Sequence, residues 1–198
     1  MRKNYFIPGI LLLLVISLST QILSAQNTLH PSQELFWKAL QQICGNSYEG
    51  SVASAPANDT TFKNKKLLMQ VRSCSEDRIR IPFVVGDDLS RTWVFIKNTS
   101  GLLLKHDHRH SDGSSDSITM YGGNTTNSGT ATVQFFPADQ ETTDLLPAAA
   151  GNVWWVEMVP GKHFIYNLRR MGSDRLFSIR FDLTKPVTAP PAPWGWVD

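Results

Sequence analysis

From Tyr48 to Leu183 the apolar residues return at every second position in about ten short runs, separated by clusters of Gly, Pro, Asn, Asp and Ser. Successive side chains of a strand point to opposite faces, so a chain patterned this way can bury one face of a sheet. Leu67, Met69 and Val71 alternate with Leu68, Gln70 and Arg72; Ile79, Ile81, Phe83 and Val85 alternate with Arg78, Arg80 and Pro82. Pro82 marks an edge or a bulge, because proline brings no N–H to a ladder. The other runs are Tyr48 to Val52, Thr92 to Lys97, Leu102 to His110, Ser117 to Tyr121, Thr130 to Phe136, Val153 to Met158, His163 to Arg169 and Leu176 to Leu183. Ahead of them, Leu35, Phe36, Leu40 and Ile43 recur at helical spacing in a segment that Ser32 can cap and Gly45 ends.

The connections carry local turn chemistry at Asn98-Thr99-Ser100-Gly101, Val159-Pro160-Gly161-Lys162 and Met171-Gly172-Ser173-Asp174, which predicts hairpins. With Pro160-Gly161 as central turn residues, Phe164, Tyr166 and Leu168 share a face with Val153 and Trp155, and Trp154 and Met158 fall outside. With Gly172-Ser173 central, Leu168 faces Phe177, Tyr166 faces Ile179 and Phe164 faces Phe181. The longest connection, Pro137 to Gly151, is placed across one end of the sheet. The fold expected is all-β: an antiparallel meander of about ten strands after a short N-terminal helix, closed into a barrel because an open meander exposes its edges. A β-sandwich is the alternative.

Arg2 and Lys3 precede an apolar run from Tyr5 to Leu18, and Leu23-Ser24-Ala25 offers small residues before Gln26. This predicts a signal peptide over residues 1–25 and a secreted or periplasmic mature chain with no membrane span. A single barrel-like domain over residues 26–185 and a Pro/Trp-rich strap over residues 186–198 complete the expected organisation. The formal net charge is +2 and the basic residues are dispersed among acids, so nucleic acid is not an expected partner. Cys44 and Cys74 are the only cysteines. In an exported chain the pair predicts a disulfide, and its spacing excludes a CxxC redox motif.

The densest chemistry lies in Lys105-His106-Asp107-His108-Arg109-His110, where three of five histidines share one strand face. A four-residue turn at Asn98 to Gly101 puts Phe95 beside Leu104, Trp93 beside His106 and Arg91 beside His108. A turn centred in Asp112 to Ser115 puts Thr119 beside His108 and Tyr121 beside His106. Arg91, Trp93, His106, His108, Thr119 and Tyr121 are therefore the candidate ligand-binding residues, a polar mouth on an apolar lining. His106, His108 and His110 are also candidate ligands of a divalent metal such as zinc, although three same-face positions span too far to share one ion easily. The third reading is a hydrogen-bonded network that fixes strand ends. Asp112-Gly113-Ser114-Ser115-Asp116 has too few oxygen ligands for an EF-hand and reads as a turn. Tyr121-Gly122-Gly123-Asn124 lacks the helix of a phosphate loop, and its glycines read as a bulge or tight curvature. Neither G-x-S-x-G nor H-E-x-x-H occurs.

Gly45-x-x-Tyr48-x-Gly50 resembles the opening of lipocalin-like, or calycin, barrels, without the tryptophan usual there. In combination, IRIPF, SRTWV, LKHDHRHSDGSSD, TMYGG, FPAD, PAAAGNVW, FDLTKPV and APPAPWGW resemble a family of uncharacterised secreted bacterial proteins. That resemblance implies export and a shared architecture and transfers no chemistry. Three functions follow as expectations: a small-ligand-binding barrel with a histidine-rich mouth, a zinc-like metal-dependent hydrolase using the HDHRH strand, or a structural or interaction protein of the cell envelope.

Overall fold

The computed structural model describes residues 29–196, together with Met1 and Lys3. The expected signal peptide lies almost wholly outside the described residues. The rest forms a helix and then a long antiparallel sheet interrupted by a second, short helix. Helix α1 (Pro31–Gln42) is followed by β1 (Ser47–Ser54), β2 (Leu67–Gln70), β3 (Ser73–Cys74), β4 (Arg78–Val85), β5 (Asp88–Asn98) and β6 (Gly101–His108). Then come β7 (Tyr121–Asn124), β8 (Val133–Pro137), helix α2 (Gln140–Leu145), a 3-10 turn (Pro147–Ala149), β9 (Asn152–Val159), β10 (His163–Arg170) and β11 (Leu176–Val187).

The strands lie in the order β7-β6-β5-β4-β2-β1-β11-β10-β9-β8, with β3 paired to β4. This is an all-β sheet nearly closed into a barrel. The two ends of the order, β7 and β8, are joined through α2: the Gly122 N–H donates to Thr142 Oγ1 (2.6 Å), whose hydroxyl donates back to the Gly122 carbonyl (2.8 Å). The Asp139 N–H donates to the same carbonyl at 2.9 Å. A Cβ on Gly123 would stand 1.8 Å from the Pro137 carbonyl oxygen, so the seam requires a residue without one. Pro82 sits inside the sheet opposite Thr92, where the strand on its other side is broken between β2 and β3. Proline's missing N–H falls on that gap.

The inward face follows the period of two. Ile79, Ile81, Phe83, Trp93, Phe95 and Leu104 are buried from β4 to β6; Phe164, Tyr166, Phe177, Ile179 and Phe181 line β10 and β11. The register expected for the β5–β6 hairpin is observed, with Arg91 opposite His108, Trp93 opposite His106 and Phe95 opposite Leu104. So is that of β10 with β11, where Leu168 pairs Phe177 and Phe164 pairs Phe181.

The β9–β10 hairpin differs. Val159 pairs His163, so the loop holds three residues, with Gly161 at φ +67°. One added loop residue turns the whole strand over. Trp154, Val156 and Met158 point inward and are buried, while Val153 and Trp155 face out. Two other segments also depart from the expected runs. Ser117 to Met120 is loop, since Met120 takes a left-handed φ of +56° just before β7, and Thr130 to Thr132 forms a turn before β8. The expected glycine bulge is itself the strand β7.

Helix α1 closes one end of the barrel with Phe36, Trp37, Leu40 and Ile43. Leu35 of the expected apolar face is exposed instead, and the cap is His30, whose Nδ1 accepts from the Ser32 N–H. The helix is held there by a Cys44–Cys74 disulfide between its C-terminal side and β3. Buried Gln33 adds a hydrogen bond to Thr125 Oγ1 at 2.9 Å. Outside, the chain after β11 crosses onto β5, where the Trp194 N–H donates to the Leu89 carbonyl and Trp196 lies against the Arg72 and Arg80 guanidiniums. No helix of the described residues is long and apolar enough to cross a membrane.

Candidate functional site

The end of the barrel opposite α1 holds a cavity of about 280 Å³. The first turns of β5 and β9, the last of β6 and β10 and the opening of β11 surround it, and Leu146 after α2 and Phe62 from the β1–β2 loop reach in from outside. Phe62 is set edge-on to Phe177 at 5.3 Å, and its loop is shaped by Asp59, which accepts the N–H groups of Thr61, Phe62 and Lys63.

Of the candidate binding residues, Arg91, Trp93, His106, His108 and Tyr121 line this cavity. Thr119 does not: its hydroxyl accepts the His108 backbone N–H at 2.8 Å and donates to Asp107 at 3.2 Å, so it holds the strand end. His110 is exposed and stands outside the cavity. The three histidines do not converge, and among the described residues no group of three His, Cys, Asp or Glu side chains is arranged to hold a metal ion. The proposed metal trio is corrected on that geometry: alternation aligns three side chains but spreads them along the strand.

His106 forms the floor. Its Nδ1 lies 3.0 Å from the Tyr121 carbonyl, which can only accept, so the proton sits on Nδ1. Nε2 is then the acceptor for the Tyr166 hydroxyl, 2.7 Å away. Both nitrogens are occupied, and burial pushes the imidazole pKa down to about 3, against the opposing effect of the Tyr121 carbonyl. Burial likewise holds the Tyr166 phenol well above its ordinary value, so the donor in this pair keeps its proton. Above them the Tyr121 hydroxyl and His108 Nε2 are 3.0 Å apart. Burial raises Tyr121 to about 12 and lowers His108, where the Arg91 charge adds to the effect. At neutral pH the floor is an uncharged network of two phenols and two imidazoles. Tyr121 stacks on His106 at 4.7 Å and Trp93 on Tyr166 at 4.4 Å, so ring faces make up much of the wall.

The charged residues of the lining are Arg91, Arg170, Arg175 and Asp116. Arg91 is ion-paired with Asp88. On the far side of β6, Lys105 is not solvated as an outward residue would be: it is buried between Asp139 (2.9 Å) and Glu141 (2.6 Å) at the seam. Those two acids fix Lys105 at the seam and do not reach the cavity.

Trp154, Tyr166, Arg170, Arg175 and Phe177 are site residues that the sequence reading did not select. Trp154 was hidden by the one-residue turn error. Arg170 and Arg175 had a readable signal, because each continues the inward alternation of its strand, Tyr166-Leu168-Arg170 and Arg175-Phe177-Ile179. Compared with protein-family models, with curated proteins and with solved structures, the chain matches none.

Proposed function

We propose that this chain is an exported small-ligand-binding protein, with the cavity at the open barrel end as its site. The observation that carries the reading is the cavity itself: about 280 Å³, walled by rings, with a few fixed polar groups at its floor and rim. That volume is at the small end of ligand pockets and calls for a compact molecule. Export is supported by the basic-then-apolar pattern of residues 1–25 and by the disulfide, a bond that persists in oxidising compartments. The floor supports binding over hydrolysis, since the imidazole nearest the centre has both nitrogens committed.

The indole N–H resonances of Trp93 and Trp154 are built-in reporters. Titration with a panel of compact aromatic and aliphatic compounds should shift both indoles saturably for at least one compound. Leu168→Trp, which fills the cavity, should remove the shifts while circular dichroism shows the barrel retained. A panel that moves neither indole, or moves them equally in the filled variant, rejects the reading.

A further inference from the structure

Three inward rows end at the open mouth in the same way. Arg91 precedes Trp93 and Phe95 in phase, Arg170 follows Tyr166 and Leu168, and Arg175 precedes Phe177. A strand end that needed only solvation could turn a polar residue outward; here three guanidiniums continue the inward alternation, Arg91 and Arg170 half-buried and Arg175 exposed at the mouth. Their nearby acids are largely engaged. Asp88 is paired with Arg91. Asp116 accepts the Ile118 N–H at 2.9 Å and the Ser117 hydroxyl at 3.2 Å, and Asp59, which feels the Arg175 charge, accepts three backbone N–H groups. Arg170 is oriented by Asn152, whose Oδ1 accepts from its Nε at 2.9 Å, and Arg175 lies 4.9 Å over the Phe177 ring. Among the described residues neither has a carboxylate within ion-pair distance. Two positive groups are thus held at one rim with fork donors to spare.

Below them the wall is aromatic rather than aliphatic: six lining residues carry benzenoid or indole rings, against three with branched aliphatic side chains. A saturated chain gains nothing from ring faces that leucine or isoleucine would not supply, whereas a flat ring stacks on them.

We propose that the ligand is a compact planar aromatic anion, its ring between the walls and its anionic group on Arg170 and Arg175. This rests on the small-ligand reading above. The test is calorimetric titration of the full mature chain with three probes: 1-naphthoate, its neutral isostere 1-naphthamide, and octanoate, an anion without a ring. Naphthoate should bind about tenfold or more tighter than either of the others, the difference a charge-assisted pair of hydrogen bonds supplies. Arg170→Gln/Arg175→Gln should erase its advantage over the amide and leave the amide unchanged. If the double variant does not fold, the exposed Arg175→Gln alone should narrow the gap. Equal binding of acid and amide, or octanoate binding as tightly as naphthoate, overturns the ligand class. So does failure of naphthoate while other compounds shift the indoles, in which case the small-ligand reading stands without it. If nothing in either experiment binds, both fall.

Discussion

His106 is neutral because its surroundings leave no room for a second proton: one nitrogen faces a carbonyl, the other a phenol, and the ring is almost wholly buried. In the unfolded chain it protonates near 6.5, in the fold only at about 3. The unfolded state therefore binds more protons across that interval. The contribution to stability is complete above roughly pH 6.5 and is lost progressively as the pH falls towards 3, by up to roughly 5 kcal/mol in all. His108, lowered for the same reason, adds in the same direction. The urea midpoint should therefore fall between about pH 7 and pH 4.5, ahead of most carboxylate titration. His106→Gln should be less stable at neutral pH and show a shallower slope over that window; an unchanged slope would contradict the assignment. The alternation of the HDHRH segment made the shared face legible, and with it five of the six candidate binding residues. Depth is not written in a period of two: consecutive same-face histidines became a buried floor, a half-buried wall and an exposed residue outside the cavity.

At the scale of elements, hairpins whose turns were counted correctly placed their partners correctly, and the β9–β10 loop, one residue longer than expected, inverted a strand. Pro160-Gly161-Lys162 fits a three-residue loop with glycine in the left-handed position as readily as a two-residue one, so sequence pattern alone did not decide. The seam was illegible for a different reason: β7 and β8 are joined through the Thr142 side chain and one Asp139 backbone bond rather than by a ladder. Thr142→Val keeps the shape and leaves a buried Gly122 N–H without its partner, so it should lower stability by about 1–3 kcal/mol, with Thr142→Ser largely restoring it. Gly123→Ala tests the steric side of the same seam. Its methyl meets a backbone oxygen that cannot step aside, and thermal unfolding should show a loss of about 2–3 kcal/mol. If both variants melt like the parent, the seam does not close the barrel in solution.

Over the whole molecule, the helix and the cavity occupy opposite ends and divide the work. The Cys44–Cys74 bond links positions 30 residues apart and keeps α1 seated. On the chain-entropy estimate, replacing both cysteines by serine should cost about 3–4 kcal/mol, read as a lower denaturation midpoint that reducing agent no longer changes. Probe binding by the folded double variant should be nearly unaffected, since the bond lies at the far end from the cavity.

Among the described residues the barrel is stoppered by α1 at one end, and the cavity opens at the other. A guest that enters by that mouth leaves by it, so arrival and departure share one route and two guests cannot pass one another. An incoming competitor cannot push the occupant out from behind. Exchange must wait for the site to empty, and the release rate should be the same at every competitor concentration.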